Sequence, residues 1–354
     1  MSAYKCIDCF SGAGGLCLGL TQAGFDVVYS FDIDAKAIAT MRANSDLFNN
    51  HRCEVRDITT IQVKELLSSL SLEPGELDLL AGGPPCQGFS IQRRGMDQDA
   101  RNLLVESYFL LVQGVAPKMF LMENVPGIEG KRGHNLLHQL LSRMSERYFI
   151  HEQILDARNY DVPQRRRRVV IVGERKDAGS PFFAYPAPSS RTITVRDAIG
   201  HLPEPPLDGS DYPGLPLHRR DRLSHLNLER LMHLKEGQGR DYLPDYLLAD
   251  CHKRSSTVIG HRNVYGRMAW DDVAPTITAR FDSFTRGQFG HPEQNRSISL
   301  REGALLQTFP KNFIFVGNKV EVARQIGNAV PVNLARTIGE QLIKCLDRWT
   351  TLNR

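Results

Sequence analysis

The stretch Gly82-Gly83-Pro84-Pro85-Cys86-Gln87-Gly88-Phe89-Ser90 holds the residue best suited to covalent chemistry. Two prolines stiffen the approach to Cys86, and the glycines on either side leave its sulfur room to face a ligand. A thiol presented in this way is a nucleophile once its proton is removed. No histidine or aspartate adjoins it in a protease-like pattern, so the proton must be handled by another route. A lone cysteine is otherwise a small buried hydrophobe; the Pro-Pro-Cys-Gln setting favours chemistry. Further on, Glu123-Asn124-Val125 ends an apolar run with a carboxylate able to protonate or hydrogen-bond a ring nitrogen. Arg166 and Arg168 alternate on a strand that starts at Gln164, so both point to one face. There they suit charge developing on a carbonyl, or a phosphate.

A second constellation lies near the N-terminus. Ile7-Asp8-Cys9-Phe10-Ser11-Gly12-Ala13-Gly14-Gly15-Leu16 reads as a strand, a glycine-rich turn and a helix start. Such a turn lets the backbone approach a ligand closely and presents N–H groups at the helix N-terminus. A tight strand-to-helix turn needs glycine anyway, so the loop alone decides little. Asp32, about 20 residues further on at the end of a second strand, is placed to accept hydrogen bonds from a ribose. Asp57, at the end of a third strand, adds an acceptor on the same edge. The full G-x-G-x-x-G spacing and a P-loop lysine are both missing. A nucleoside with a positively charged or small polar tail therefore fits better than a dinucleotide or a triphosphate.

These residues need a scaffold that brings strand ends together. Strands are expected at Tyr4–Cys9, Val27–Phe31, Leu77–Ala81 and Met119–Glu123, with helices at Leu16–Ala23 and Lys36–Ala43. Strand alternating with helix gives parallel strands covered on both faces. His151–Asp156 and Arg168–Val172 have no helix between them, so an antiparallel pair ends the sheet. The fold class is α/β, doubly wound. Eight of the 19 prolines fall between Pro181 and Pro216, and the alternation stops there. Residues 191–319 are expected to form a smaller, loop-rich domain with isolated strands such as Ala274–Ala279, while 1–190 and 320–354 form the large one. Leu334–Arg348 reads as a helix.

The chain has 354 residues, 41 % of them hydrophobic and 24 % charged, which excludes wholesale disorder. No apolar run approaches the roughly 20 residues that span a bilayer, and no signal-peptide pattern opens the chain, so a cytoplasmic protein is expected. Seven cysteines, an odd number, point to reduced thiols. The net charge is only +4, yet residues 158–176 hold seven bases against two acids, and residues 218–240 hold six against three. Clustered positive charge suits a polyanion, although a solvated surface explains it equally well.

The order of these pieces resembles the DNA (cytosine-5)-methyltransferase family, of the bacterial or phage modification type. The matching stretches are Asp8–Leu16, Gly82–Ser90, Glu123–Val125, Gln164–Arg168, Arg301–Pro310 (REGALLQTFP) and Gln325–Val332 (QIGNAVPV). The resemblance implies a Rossmann-like, S-adenosylmethionine-dependent domain with a mixed, mostly parallel sheet. It also implies a small target-recognition domain and a C-terminal segment that returns to the large one. Cofactor contacts would come from Phe10, Gly12, Gly14, Leu16, Asp32, Ile33, Asp57, Pro84, Leu103, Asn328 and Val330. Many relatives have Glu at the position of Asp32, and some an aromatic residue at that of Ile33, so those contacts are expected to be weaker or water-mediated here. Cys86, Glu123, Asn124, Arg166 and Arg168 would carry catalysis on a cytosine flipped out of double-stranded DNA. Ser90 or Gln92 would fill the gap in the stack, and Arg93 and Arg94 would hold phosphates on a closing loop, 88–100. The chain would be a monomer, with a cognate restriction endonuclease as a separate partner.

Other readings stay in view. An RNA cytosine methyltransferase shares this fold, and a catalytically silent DNA-binding protein would keep the scaffold without the chemistry. A nicotinamide oxidoreductase would leave Cys86 unexplained. Cys6 and Cys9 form a C-x-x-C, but residues three apart on a strand face opposite sides, which disfavours a metal. His218, His225 and His233 read as polar surface, and Trp270 and Trp349 as packing residues.

Overall fold

In a computed structural model the protein is described for residues 4–49, 51–85, 99–129, 134–250, 253 and 264–352. It opens with β1 (Lys5–Cys9), in which Cys6, Ile7, Asp8 and Cys9 are all shut away from solvent. Gly12 and Gly14 take left-handed φ angles of 53° and 89° and turn the chain into α1 (Gly15–Ala23). That helix ends at Gly24, φ 110°, where the N–H groups of Gly24 and Phe25 close on the carbonyls of Leu20 and Thr21. β2 (Asp26–Asp32) follows, and Asp34 caps α2 (Ala35–Ala43) by accepting from Lys36 and Ala37 N–H.

The alternation continues through β3 (Arg52–Val55), α3 (Val63–Ser69), β4 (Leu79–Gly82), α4 (Asp99–Val115), β5 (Met119–Asn124) and α5 (His134–Met144). Two strands without an intervening α-helix, β6 (Tyr148–Asp156) and β7 (Arg167–Arg175), complete a sheet of order β3-β2-β1-β4-β5-β7-β6. The first five strands pair in parallel; β7 is antiparallel to both β5 and β6. This is the mixed, mostly parallel sheet expected of the α/β class. The winding reverses between β1 and β4, and the carboxyl edge at such a switch point is where ligands bind in open α/β sheets.

The chain divides into two compact units, one of Met1–Asp156, Arg167–Pro188 and Val330–Arg354, the other of Ala157–Arg166 and Ser189–Ala329. In the second, α6 (Val195–Ile199), α7 (His225–His233), α8 (Leu300–Leu306) and α9 (Lys319–Asn328) are set among loops. The last helix, α10 (Val332–Leu352), belongs to the first unit and packs on α1. Gly19 makes that approach possible: a Cβ there would stand 2.4 Å from the Ala335 Cβ and 2.5 Å from the Val332 carbonyl oxygen. The sheet core gathers Ile7, Phe31, Leu80, Phe120, Met122 and Ile171 with Tyr108, Phe109 and Val112 of α4. β1, β4 and β5 are buried on both faces, as parallel central strands require.

Two expectations differ from the structure. β7 starts at Arg167, not Gln164, because the backbone on either side of Gln164 bonds to Ala274 instead: Ala274 N–H donates to the Pro163 carbonyl and Arg165 N–H donates to the Ala274 carbonyl. Ala274–Ala279 forms no strand. Pro275 lacks a donor, and side chains satisfy its neighbours: Ile277 N–H donates to Gln164 Oε1, and Thr276 Oγ1 donates to the Arg165 carbonyl.

With only isolated bridges among its described residues, the second unit satisfies buried carbonyls with arginine. Arg267 donates to the carbonyls of Leu231, Leu234, His291 and Gln294, five N–H donors on one group allowing this. Arg296 grips Glu302 through two bonds of 2.7 Å, while the same carboxylate caps α8 at the Ser299 N–H. Burial pushes the Glu302 carboxyl up, but Arg296 outweighs burial and holds it at about 2. Burial pushes His291, 3.9 Å from Glu302, down to about 4.

Both folded values lie below the ordinary ones of 4.5 and 6.5, so the unfolded chain binds the protons more readily. His291 therefore stabilises the fold fully above pH 6.5, and that stability is lost as the pH falls through about 4. For Glu302 the loss runs from 4.5 to about 2. The urea midpoint should hold steady above pH 6.5 and drop between 6.5 and 4, and His291→Asn should flatten that window. A wild-type midpoint independent of pH across it would contradict the assignment.

Candidate active site

The carboxyl ends of β1 and β2 grip the glycine turn through the backbone. Ser11 N–H donates to the Phe31 carbonyl at 3.1 Å, and Gly12 N–H donates to Asp32 Oδ2 at 2.8 Å. Asp32 Oδ1 accepts from Asp34 N–H at 2.8 Å. A carboxylate offers about four acceptor positions, so Asp32 keeps capacity for a pair of hydroxyls. Burial pushes its pKa up, and the N–H groups of Asp34 and Gly12 oppose that. Gly12 faces open space, with nothing within 4 Å of where a Cβ would stand. Gly14 is the reverse case: the Phe48 ring lies at 2.6 and 2.9 Å from its Cβ position and Met41 Cε at 3.2 Å.

Around this turn the expected cofactor residues fall in several places. Phe10 is half-buried with φ 57°; Leu16, Pro84 and Val330 are buried. Ile33 is 68 % exposed, and Val55 and Leu103 are 48 % exposed. Large apolar side chains left this open suit a flat ligand that would cover them. Asp57 is half-buried and accepts from the Thr59 N–H and hydroxyl at 2.9 and 2.8 Å. Asn328 lies in the second unit, exposed at the end of α9. An acceptor carboxylate, an open glycine and exposed apolar side chains such as Ile33 fit a nucleoside such as that of S-adenosylmethionine.

The chemistry edge is built where β4 and β5 end together, Gly82 opposite Met122. Asn124 Nδ2 donates to the Pro84 carbonyl at 2.9 Å, and its Oδ1 accepts from Val125 N–H at 2.8 Å. The Glu123 carboxylate lies beside Gly83, with Oε2 3.4 Å from where a Cβ on Gly83 would stand. Arg168 Nε lies 2.7 Å from Glu123 Oε1, and both side chains are largely buried. The glutamate and its arginine are thus fixed at the chain that leads to Cys86. Cys86 itself, with Ser90, Gln92, Arg93 and Arg94, lies outside the described residues.

Arg166 and Arg168 are both buried, while Arg165 and Arg167 between and before them are exposed. Their partners differ. Arg166 donates from Nη1 to the Ile277 carbonyl at 2.9 Å, and from Nη2 to those of Gly327 and Ala329 at 3.0 and 2.9 Å. It thereby ties the QIGNAVPV segment to Thr276-Ile277-Thr278 inside the second unit. Gly327 allows that contact, since a Cβ there would stand 2.2 Å from the Thr278 backbone.

Three residues escaped the sequence reading. Gln164 donates to the Leu306 carbonyl and to Gln307 Oε1, and Gln307 donates in turn to the Ile326 carbonyl at 2.6 Å. Both sit in motifs the resemblance flagged, but no periodicity reveals such a mesh. Asp8 is fully buried. Burial drives its carboxyl far up, with the Asp32 charge adding to the effect. An acid inside an apolar strand before a glycine turn was the available signal. Cys6 and Cys9 are buried free thiols, both pushed far up by burial. His218 is no surface residue: it is fully buried between Ser299 Oγ and the Pro203 carbonyl. Among the described residues no group of three or more His, Cys, Asp or Glu could hold a metal ion, and no helix is long and apolar enough to cross a membrane.

Comparison with known proteins agrees with this geometry. Residues 4–344 match the model of the C-5 cytosine-specific DNA methylase family. The type II methylase M.HgiDII of Herpetosiphon aurantiacus is 34 % identical over 347 residues, covering 96 % of this chain and 95 % of its own. The type II methyltransferase M1.HphI of Haemophilus parahaemolyticus is 35 % identical over 345 residues, covering 96 % and 86 %. Among solved structures, a candidate DNA modification methyltransferase encoded in an Escherichia coli prophage superposes with a TM-score of 0.77 at 26 % identity, covering 98 % of this chain and all of that one. The chain belongs to the C-5 cytosine-specific DNA methylases and is a DNA (cytosine-5) methyltransferase.

Proposed function

We propose that the chain methylates carbon 5 of a flipped-out cytosine within a specific double-stranded DNA sequence, through a covalent adduct of Cys86 at carbon 6. One observation carries the reading. Asn124 pins Pro84 and the Glu123 carboxylate lies beside Gly83, so an acid fixed by Arg168 stands at the chain leading to a cysteine. S-adenosyl-L-methionine, when bound, supplies an electrophilic methyl group and leaves as S-adenosyl-L-homocysteine. Asp32 would take the ribose hydroxyls, Ile33 and Leu103 would cover the adenine, and Gly12 would let the ligand approach the backbone.

Carbon 5 of cytosine is too weak a nucleophile unaided. The Cys86 thiolate forms a bond to carbon 6, and the electrons of the 5,6 double bond move toward ring nitrogen 3. A proton shared with Glu123 passes onto that nitrogen, and Arg168, 2.7 Å away, stabilises the carboxylate left behind. Carbon 5, now enamine-like, takes the methyl group. Loss of the carbon-5 proton to a base, departure of Cys86 as thiolate and return of the nitrogen-3 proton to Glu123 restore the ring and the acid. Extruding the base costs roughly a few kcal/mol. The second unit would read the target sequence, with Arg166 fixing its Thr276–Thr278 segment. This fits the restriction–modification setting of the type II relatives, with a separate cognate endonuclease.

DNA bearing 5-fluorocytosine at the target tests the mechanism, because fluorine cannot leave as a proton does. The wild-type chain should trap a covalent adduct that maps to Cys86. Cys86→Ala should trap none and transfer no labelled methyl, yet still bind S-adenosylhomocysteine. Turnover by that variant, or an adduct at another cysteine, would overturn the assignment. Arg168→Gln should lower methyl transfer on the order of 10²-fold with binding of S-adenosylhomocysteine unchanged; a purely structural Arg168 would show up as lost binding and a lowered unfolding temperature.

A further inference from the structure

Behind the glycine turn lies a polar relay that the reaction does not use. Phe48 ends a short 3-10 turn, Ser45–Phe48, and its ring fills the space that a side chain on Gly14 would need. Its carbonyl accepts twice from His51, from the backbone N–H at 3.2 Å and from Nδ1 at 3.1 Å. A carbonyl only accepts, so Nδ1 carries the proton and Nε2 presents a lone pair. That lone pair lies 2.7 Å from Ser30 Oγ, which donates to it. Ser30 is fully buried on β2, just before the Phe31 carbonyl and the Asp32 carboxylate that hold the Ser11 and Gly12 N–H groups. The His51 ring also meets Phe48 edge-on, at 5.7 Å and 72°.

We infer that His51 is a positioning residue for the cofactor turn. It joins the two elements that hold the turn, the Phe48 wedge against Gly14 and the end of β2 beneath Ser11 and Gly12. The histidine touches no ligand; it fixes the height and tilt of the backbone that does. The inference rests on the reading of this turn as the S-adenosylmethionine site. The packing supports a neutral ring: burial lowers the His51 pKa, opposed by the Phe48 carbonyl and the Asp26 carboxylate, while the Cys17 thiol of α1 faces Nε2 at 3.9 Å. Neutral, with a fixed tautomer, His51 satisfies one donor and one acceptor that are otherwise buried.

His51→Phe keeps the ring and removes both hydrogen bonds, whereas His51→Asn can restore the donor toward the Phe48 carbonyl. The dissociation constant for S-adenosylhomocysteine, by calorimetry on the full chain, should rise roughly tenfold in His51→Phe, the cost of leaving a buried polar group unmatched. The KM for S-adenosylmethionine should rise with it, while kcat and the KM for DNA stay at wild-type values, and His51→Asn should recover most of the loss. Wild-type affinity in His51→Phe, a parallel rise in the KM for DNA, or no recovery in His51→Asn would overturn the inference. Should His51→Phe fail to fold, His51→Asn decides alone: affinity within about threefold of wild type is expected if the Phe48 bond carries the effect, and a full tenfold loss refutes it. A wild-type chain that bound no S-adenosylhomocysteine would instead sink the donor reading.

Discussion

The parallel register of β1, β4 and β5 is the constraint on which the rest depends. Cys9 stands opposite Gly82, and Gly82 opposite Met122, so three chains leave the sheet at one height. A glycine turn follows the first, Gly83-Pro84 the second, and Glu123-Asn124 occupies the end of the third. Slipping β5 by one residue would exchange the faces of every side chain on it. Asn124 would then lose the Pro84 carbonyl, and Glu123 would lose Arg168. Because β1, β4 and β5 are buried on both faces, such a slip would also move packed side chains out of Phe120 and Met122 sites in the core. Hydrophobic packing thus sets the geometry of the polar groups, although no apolar residue does chemistry.

The second unit solves the opposite problem. It has few ladders to absorb buried carbonyls, and an unpaired one costs as much as a lost hydrogen bond. Arg267, Arg166 and Arg301 meet this need with planar, many-donor side chains that reach carbonyls far apart in sequence; Arg301 donates to those of Pro216 and Phe313. Lysine could not replace them, having no fixed fork. A loop framework held in this way keeps its surface free to vary. It also explains why buried arginines are found in a part of the chain whose charge suggested a polyanion or a solvated surface.

Legibility followed locality. The parallel strands and the first two helices show in short apolar runs and a glycine turn, so the alternation and the antiparallel close were readable from residues such as Gly12, Gly14 and Asp32. Glu123 and Asn124 were readable as the end of β5 because a strand end is a local event. Arg166 was not: its partners at Ile277, Gly327 and Ala329 are more than 100 residues away. For the same reason the alternation from Gln164 suggested a strand three residues too early. Periodicity describes the residues themselves, while the Ala274 backbone that captures Pro163 and Arg165 comes from another part of the chain. His218 and Asp8 were hidden alike, since burial of a polar group is decided by what packs over it.

One of the divisions between the units falls between Arg166 and Arg167. Arg166 is bound to carbonyls of the second unit, while two residues later Arg168 is bound to Glu123 in the first. One peptide segment thus carries a rigid anchor in each unit. At the last crossing, Ala329 accepts from Arg166 in the second unit, and Val330 begins the return that α10 completes against Gly19 of α1. Two of the four places where the chain passes from one unit to the other are therefore flanked by bonds of the same guanidinium. Those bonds are buried, where water offers no replacement for a lost partner, so the second unit needs Arg166 for its own packing whatever chemistry Arg168 serves two residues later.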